Sequence, residues 1–90
     1  LDAAKPLPGR ERQKLAEKNS EIVDEGIVSL EQAIELRPNY SDAMAYLNLL
    51  YRQRADLQEE AAARKEDIKT ADLWMSKSLD LKRAALQEDD

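Results

Sequence analysis

A chain of 90 residues makes one small domain with a single modest core. Its net charge of −5 and pI near 4.8 argue against nucleic acid as the main partner, because phosphate backbones need a cationic face. Two Gly, three Pro and no Phe, among abundant Ala, Leu, Glu, Lys, Arg and Gln, favour helices and speak against strand-rich folds.

Residues 1–9, LDAAKPLPG, hold two of the three prolines and one of the two glycines. Pro6 and Pro8 deny helix hydrogen bonds and bias the residues before them to extended backbone, so a flexible tail is expected here. From Arg10 to Leu36 the only Gly or Pro is Gly26. Ile22, Val23, Ile27, Leu30, Ala33 and Ile34 recur at three-four spacing and predict one buried helical stripe. Upstream only Leu15 and Ala16 continue it, so residues 10–19 read as a weak helix of their own or an extension of the next. Asn19 and Ser20 are cap-type residues, and a break or bend is expected near them.

The first full helix is placed at about 20–37, ended by Pro38, with Asn39 and Tyr40 in the turn. Ser41 is the expected N-cap of the second helix, about 42–57, and Asp42 suits the positive end of its dipole. That helix carries Ala43, Met44, Leu47, Leu50, Tyr51 and Leu57 on one face. So short a connection predicts antiparallel packing. The second turn falls between residues 56 and 61. Either Asp56 to Glu59 caps the third helix, or the second runs on and turns at Glu59-Glu60. The third helix, about 61–86, is given a seam of Ile68, Ala71, Met75, Leu79 and Leu86, and residues 87–90 are expected to fray.

The segment EGIVSLEQAIELRPNYSDAMAYLNLLYRQ, Glu25 to Gln53, resembles a tetratricopeptide repeat junction, the second helix of one repeat followed by the first of the next. Gly26, Leu30, Ala33 and Pro38 match the small, large, Ala and Pro positions of that pattern, and Met44, Leu47 and Tyr51 meet its next large apolar positions. Small residues let helix backbones approach, and large ones fill the holes opposite. There are departures. Asn48 stands where the family usually has Gly, which should loosen that contact. Arg10, Gln13, Lys14 and Glu17 are polar where an earlier first helix would pack. Glu60 misses the next small position, and Ala71, Met75 and Ser78 restore the pattern only after an eleven-residue insertion, with Arg83 in place of Pro. The likeness covers about one and a half repeats. It implies an all-α, antiparallel arrangement of three helices, or four if residues 10–19 stand alone. Any antiparallel three-helix bundle also needs small and large residues at such spacings; AIELRPNY with its matched flanks is the more specific signal.

With no His and no Cys, the commonest general bases, nucleophiles and zinc ligands are missing, as are disulfides. The carboxylate pairs Glu59/Glu60, Glu66/Asp67 and Asp89/Asp90 are sequence neighbours that point apart on a helix, so they are expected to be solvated. No phosphate-loop or calcium-loop spacing occurs. The chain is expected to be non-catalytic, with no cofactor and no metal. No apolar run nears the ~20 residues of a membrane span, and the N-terminus lacks a signal-peptide layout. A soluble protein without membrane or nucleic-acid partners is expected, its compartment open with a lean to the cytoplasm. A first residue of Leu rather than Met fits a piece of something longer.

Trp74 beside the Ala71–Met75 seam reads first as a packing residue and second as an interface anchor; Tyr40 and Tyr51 read as junction packing. In the family, partner peptides lie along the surface made by first helices. By that resemblance Asp42, Ala45, Tyr46, Leu49, Arg52 and Gln53 would line it, with Tyr46, Leu49, Arg52 and Gln53 the candidate binding residues. Arg52 is the sole cation there, so the carboxylate clamp of some members is not expected. The plain alternative is exposed helix. A repeat fragment this short leaves an apolar edge, to be covered by further repeats, a second copy or a partner. A protein-interaction scaffold that binds a protein or peptide and forms homodimers is the leading expectation. A structural spacer or capping domain with an empty groove is the alternative.

Overall fold

The structure, a computed structural model, describes residues 9–88; residues 1–8 of the expected tail and 89–90 of the expected frayed end lie outside them. Among the described residues there are three helices, α1 (Gly9–Leu36), α2 (Ser41–Leu57) and α3 (Ala61–Glu88), and no strand.

The break expected near Asn19 and Ser20 does not form, since α1 runs unbroken through both. Their helix penalties are only tenths of a kcal/mol each, and no Gly or Pro stands nearby to turn a weak preference into a stop. Residues 10–19 are thus an extension of α1. Gly9, Gln87 and Glu88, assigned to the tail and to the frayed end, are helical too.

The connection between α1 and α2 is a tight turn in which Tyr40 N–H donates to the Arg37 carbonyl at 3.0 Å, with Pro38 fixing the first central residue. Ser41 does not cap α2. Tyr40 holds the cap position with no side-chain cap bond, and its ring lies 4.2 Å below the Arg37 guanidinium. Asp42 sits in the first turn, where the helix dipole favours it. At the other end α2 passes through Asp56, so no capping box forms there. Gln58 is extended, and α3 opens with Arg64 N–H donating to the Glu60 carbonyl at 3.1 Å.

α2 lies between α1 and α3 and is antiparallel to both, while α1 and α3 each pack on α2 rather than on one another. Partners run in opposite directions along the chain: Ser41 meets Ser78 and Arg54 meets Asp67 across α2–α3, whereas Arg54 reaches Asp24 and Tyr51 reaches Glu31 across α1–α2. Helices of 28 residues span about 42 Å and α2, with 17, about 26 Å, so both neighbours outrun it. The antiparallel register sends the overhangs opposite ways, the start of α1 past the end of α2 and the end of α3 past its start. The body accordingly measures 57 × 32 × 23 Å.

The core is Val23, Ile27, Leu47, Tyr51 and Ala71, with Leu30, Ile34, Leu50, Leu57 and Trp74 packed around it. Of the expected seam residues Ile22, Leu79 and Leu86 are exposed. On α3 the buried face is Asp67, Ala71 and Ser78, flanked by Trp74. The stripe 68–75–79–86 lies about a fifth of a turn round from it. Apolar spacing alone picked the wrong edge because the true face carries Asp and Ser. Leu86 also lies beyond the start of α2 and is 71% exposed. At Gly26 a Cβ would come within 2.9 Å of Leu50 Cδ1, so the missing side chain is what lets α1 and α2 close up there.

Candidate interaction surface

Asp42, Tyr46 and Leu49 recur at four-three spacing and lie exposed on the outward side of α2, opposite the buried Met44, Leu47 and Tyr51. Tyr46 is 62% exposed and Leu49 52%, and together with Asp42 and Ala45 they line a shallow depression. Two large apolar groups held side by side on a rigid helix offer contact area without loop ordering.

The other two expected binding residues lie elsewhere. Arg52 is half-buried, and its Nε donates to Asn48 Oδ1 at 2.8 Å while a terminal nitrogen donates to Asp72 on α3. Its charge is committed within the fold. Gln53 faces α1 and shares a different depression with Asn19, Ile22, Val23, Asp56 and Leu57. The structure therefore joins Tyr46 to Leu49 and separates Arg52 and Gln53 from them. Asn48, expected to loosen the helix contact, is buried at 3% exposure and ties α2 to α3 through Arg52.

Of the positions assigned to repeat packing, Met44, Leu47, Tyr51 and Ala71 are buried. Gly26, Leu30, Ala33 and Met75 are half-buried, and Pro38 sits exposed in the turn. Trp74 is half-buried against the core, with Lys77 Nζ 5.0 Å from its ring centre.

The sequence reading missed the strongest polar constellation. Asp67, grouped with the solvated pairs, is 4% exposed. Arg54 donates to it through Nε at 3.2 Å and through a terminal nitrogen at 2.7 Å, and Gln58 donates at 3.0 Å. The other arm of Arg54 reaches Asp24 on α1 at 3.3 Å, and its guanidinium lies 4.9 Å from the Tyr51 ring centre. One side chain of the middle helix thereby links all three. Burial pushes the Asp67 carboxyl up, but the hydrogen bonds from Arg54 and Gln58 with the Arg54 charge outweigh it and hold it below the usual Asp range. The bond to Asp67 raises Arg54 further against an opposing effect of burial. Burial, then the Glu31 charge, raises the Tyr51 phenol, whose hydroxyl lies 3.4 Å from Glu31 Oε2. These groups satisfy one another, and among the described residues no buried side-chain polar atom lacks a partner.

Among the described residues no group of three or more acidic, His or Cys side chains is placed to hold a metal, and no helix is long and apolar enough to cross a membrane. Comparison with protein-family models, with curated proteins and with solved structures found no match.

Proposed function

We propose that this chain is a non-catalytic protein-interaction scaffold module of tetratricopeptide-repeat type that takes a protein or peptide partner on the outward face of α2. The supporting observation is the pair Tyr46 and Leu49, exposed next to one another above a depression on a helix whose opposite side is fully packed. The partner is expected to bring an apolar side chain into that depression. Because Arg52 is engaged by Asp72, a carboxylate terminus is not the favoured ligand. The want of His and Cys in the sequence agrees with a role without catalysis. Self-association or docking to further repeats fits the apolar side chains left exposed, Leu36 and Leu73 among them.

The experiment is a Tyr46→Ala/Leu49→Ala double variant compared with the wild type for helicity by circular dichroism and for retention of bound protein. Loss of the bound protein at unchanged helicity supports binding through α2. Unchanged retention favours the second reading, a spacer or capping domain with an unused groove, for which the commitment of Arg52 to the fold also speaks.

A further inference from the structure

α1 and α3 lie on opposite flanks of α2, and each turns one stripe away from it. On α1 that stripe is Glu21, Glu25, Val28, Gln32 and Glu35, at four-three-four-three spacing, opposite the core residues Val23, Ile27, Leu30 and Ile34. All five are exposed, and from Asn19 to Leu36 the sequence has no Lys or Arg. Over residues 19–36 the α1 flank is therefore acidic around an apolar residue, Val28, which is 53% exposed, while Lys14 and Lys18 lie exposed nearer the start of the helix.

The outer stripe of α3 has the opposite sign. Lys65, Lys69, Leu73 and Ser76 are exposed on the side away from Asp67, Ala71 and Ser78, with Leu73 at 58% exposure and Lys77 beside them. Among the described residues Glu66 is the one acid in their midst that no cation engages, since Asp72 is held by Arg52, and Asp80 lies 3.8 Å from Arg83. Among the described residues no ion pair engages Glu21, Glu25, Glu35, Lys65, Lys69 or Lys77.

We infer that a second copy of this chain docks its acidic α1 flank against the basic α3 flank, with Val28 meeting Leu73 and the charges around them paired. The two flanks differ, so the contact is head-to-tail; acid on acid or base on base would repel. Each bound copy leaves one flank of either sign open, so growth continues past the dimer unless the rotation closes a ring. This contact is independent of the α2 face, and its test separates the two.

Sedimentation of the 90-residue chain over a range of concentration and salt reads the association directly. The wild type should associate at low salt, with a mass that keeps rising past the dimer, and weaken by about tenfold or more when salt is raised from about 0.05 M to about 0.5 M. Glu21→Lys/Glu25→Lys and Lys65→Glu/Lys69→Glu should each associate at least about tenfold more weakly than the wild type, because each carries two flanks of one sign. An equimolar mixture of the two should associate again, since each variant's altered flank complements the unaltered flank of the other. Circular dichroism on each variant checks that these surface changes leave the helices intact. Tyr46→Ala/Leu49→Ala should associate as the wild type does. A wild type that stays monomeric at low salt, charge variants that associate unchanged, or a mixture that stays dissociated would each overturn the inference.

Discussion

Among the described residues Arg54 and Asp67 form the one ion pair in which a carboxylate is taken almost fully out of water, with the guanidinium at 2.7 Å and side-chain exposures of 31% and 5%. Arg54 is the more exposed partner, and this asymmetry decides what each truncation does. Arg54→Ala strands a buried carboxylate with only Gln58 beside it and should cost about 3 kcal/mol. Asp67→Asn leaves an Arg that can turn to water or to Asp24, and should cost about half as much. Urea unfolding of the two variants checks the order; equal losses would mean that the pair is no more than a surface bridge.

The same pair sets an acid dependence. Asp67 is held below the usual Asp range, so near and below that range the unfolded chain binds a proton that the folded chain refuses. The stability so contributed is complete above the ordinary Asp value and drains away as pH falls through the folded one. The wild type's advantage over Asp67→Asn should hold steady from about pH 7 to about pH 5 and shrink below about pH 4. Denaturant midpoints of both proteins across that range measure it, and an advantage that grows on acidification would contradict the sign.

Gly26 faces Leu50 so closely that an added methyl group would overlap the Leu50 Cδ1 methyl, at 2.9 Å. Gly26→Ala gains about 1 kcal/mol in helix propensity and needs only a shift of the flexible Leu50 tip, so it should come out near neutral. Gly26→Val adds bulk that this shift does not absorb and should destabilise by about 1–3 kcal/mol. Thermal melts of the pair distinguish a packing role from a backbone one. If both variants melt above the wild type, the close approach has no consequence for stability.

Leu47 has no exposed surface and Leu36 is 84% exposed, although both are leucines at helical apolar positions. Leu47→Ala should lose about 3 kcal/mol or more, whereas Leu36→Ala should stay within about 0.5 kcal/mol of the wild type. Chemical denaturation tells them apart, and comparable losses would place the core elsewhere.

Much of the fold was written along the chain. Helix-forming composition, Pro38 in its turn, the apolar rhythm of Val23, Ile27, Met44, Leu47 and Tyr51, and two short connections point to three antiparallel helices, because these signals act within a turn or two of backbone. Weak local cues misled: Asn19 and Ser20 invite a cap, yet nothing nearby is strong enough to stop α1. What the tertiary structure decided is which side of each helix is wanted. The phase of α3 turns on Asp67 and Ser78, polar residues made buriable by Arg54, Gln58 and the Ser41 carbonyl, none of them close by in the chain. Likewise the fate of Arg52 was set by Asp72, twenty residues on, and the exposure of Leu86 by the shortness of the helix beside it. A side chain's own chemistry gives its preference for water or for oil, and only the neighbours that folding supplies settle whether a charge can be left inside or a leucine left outside.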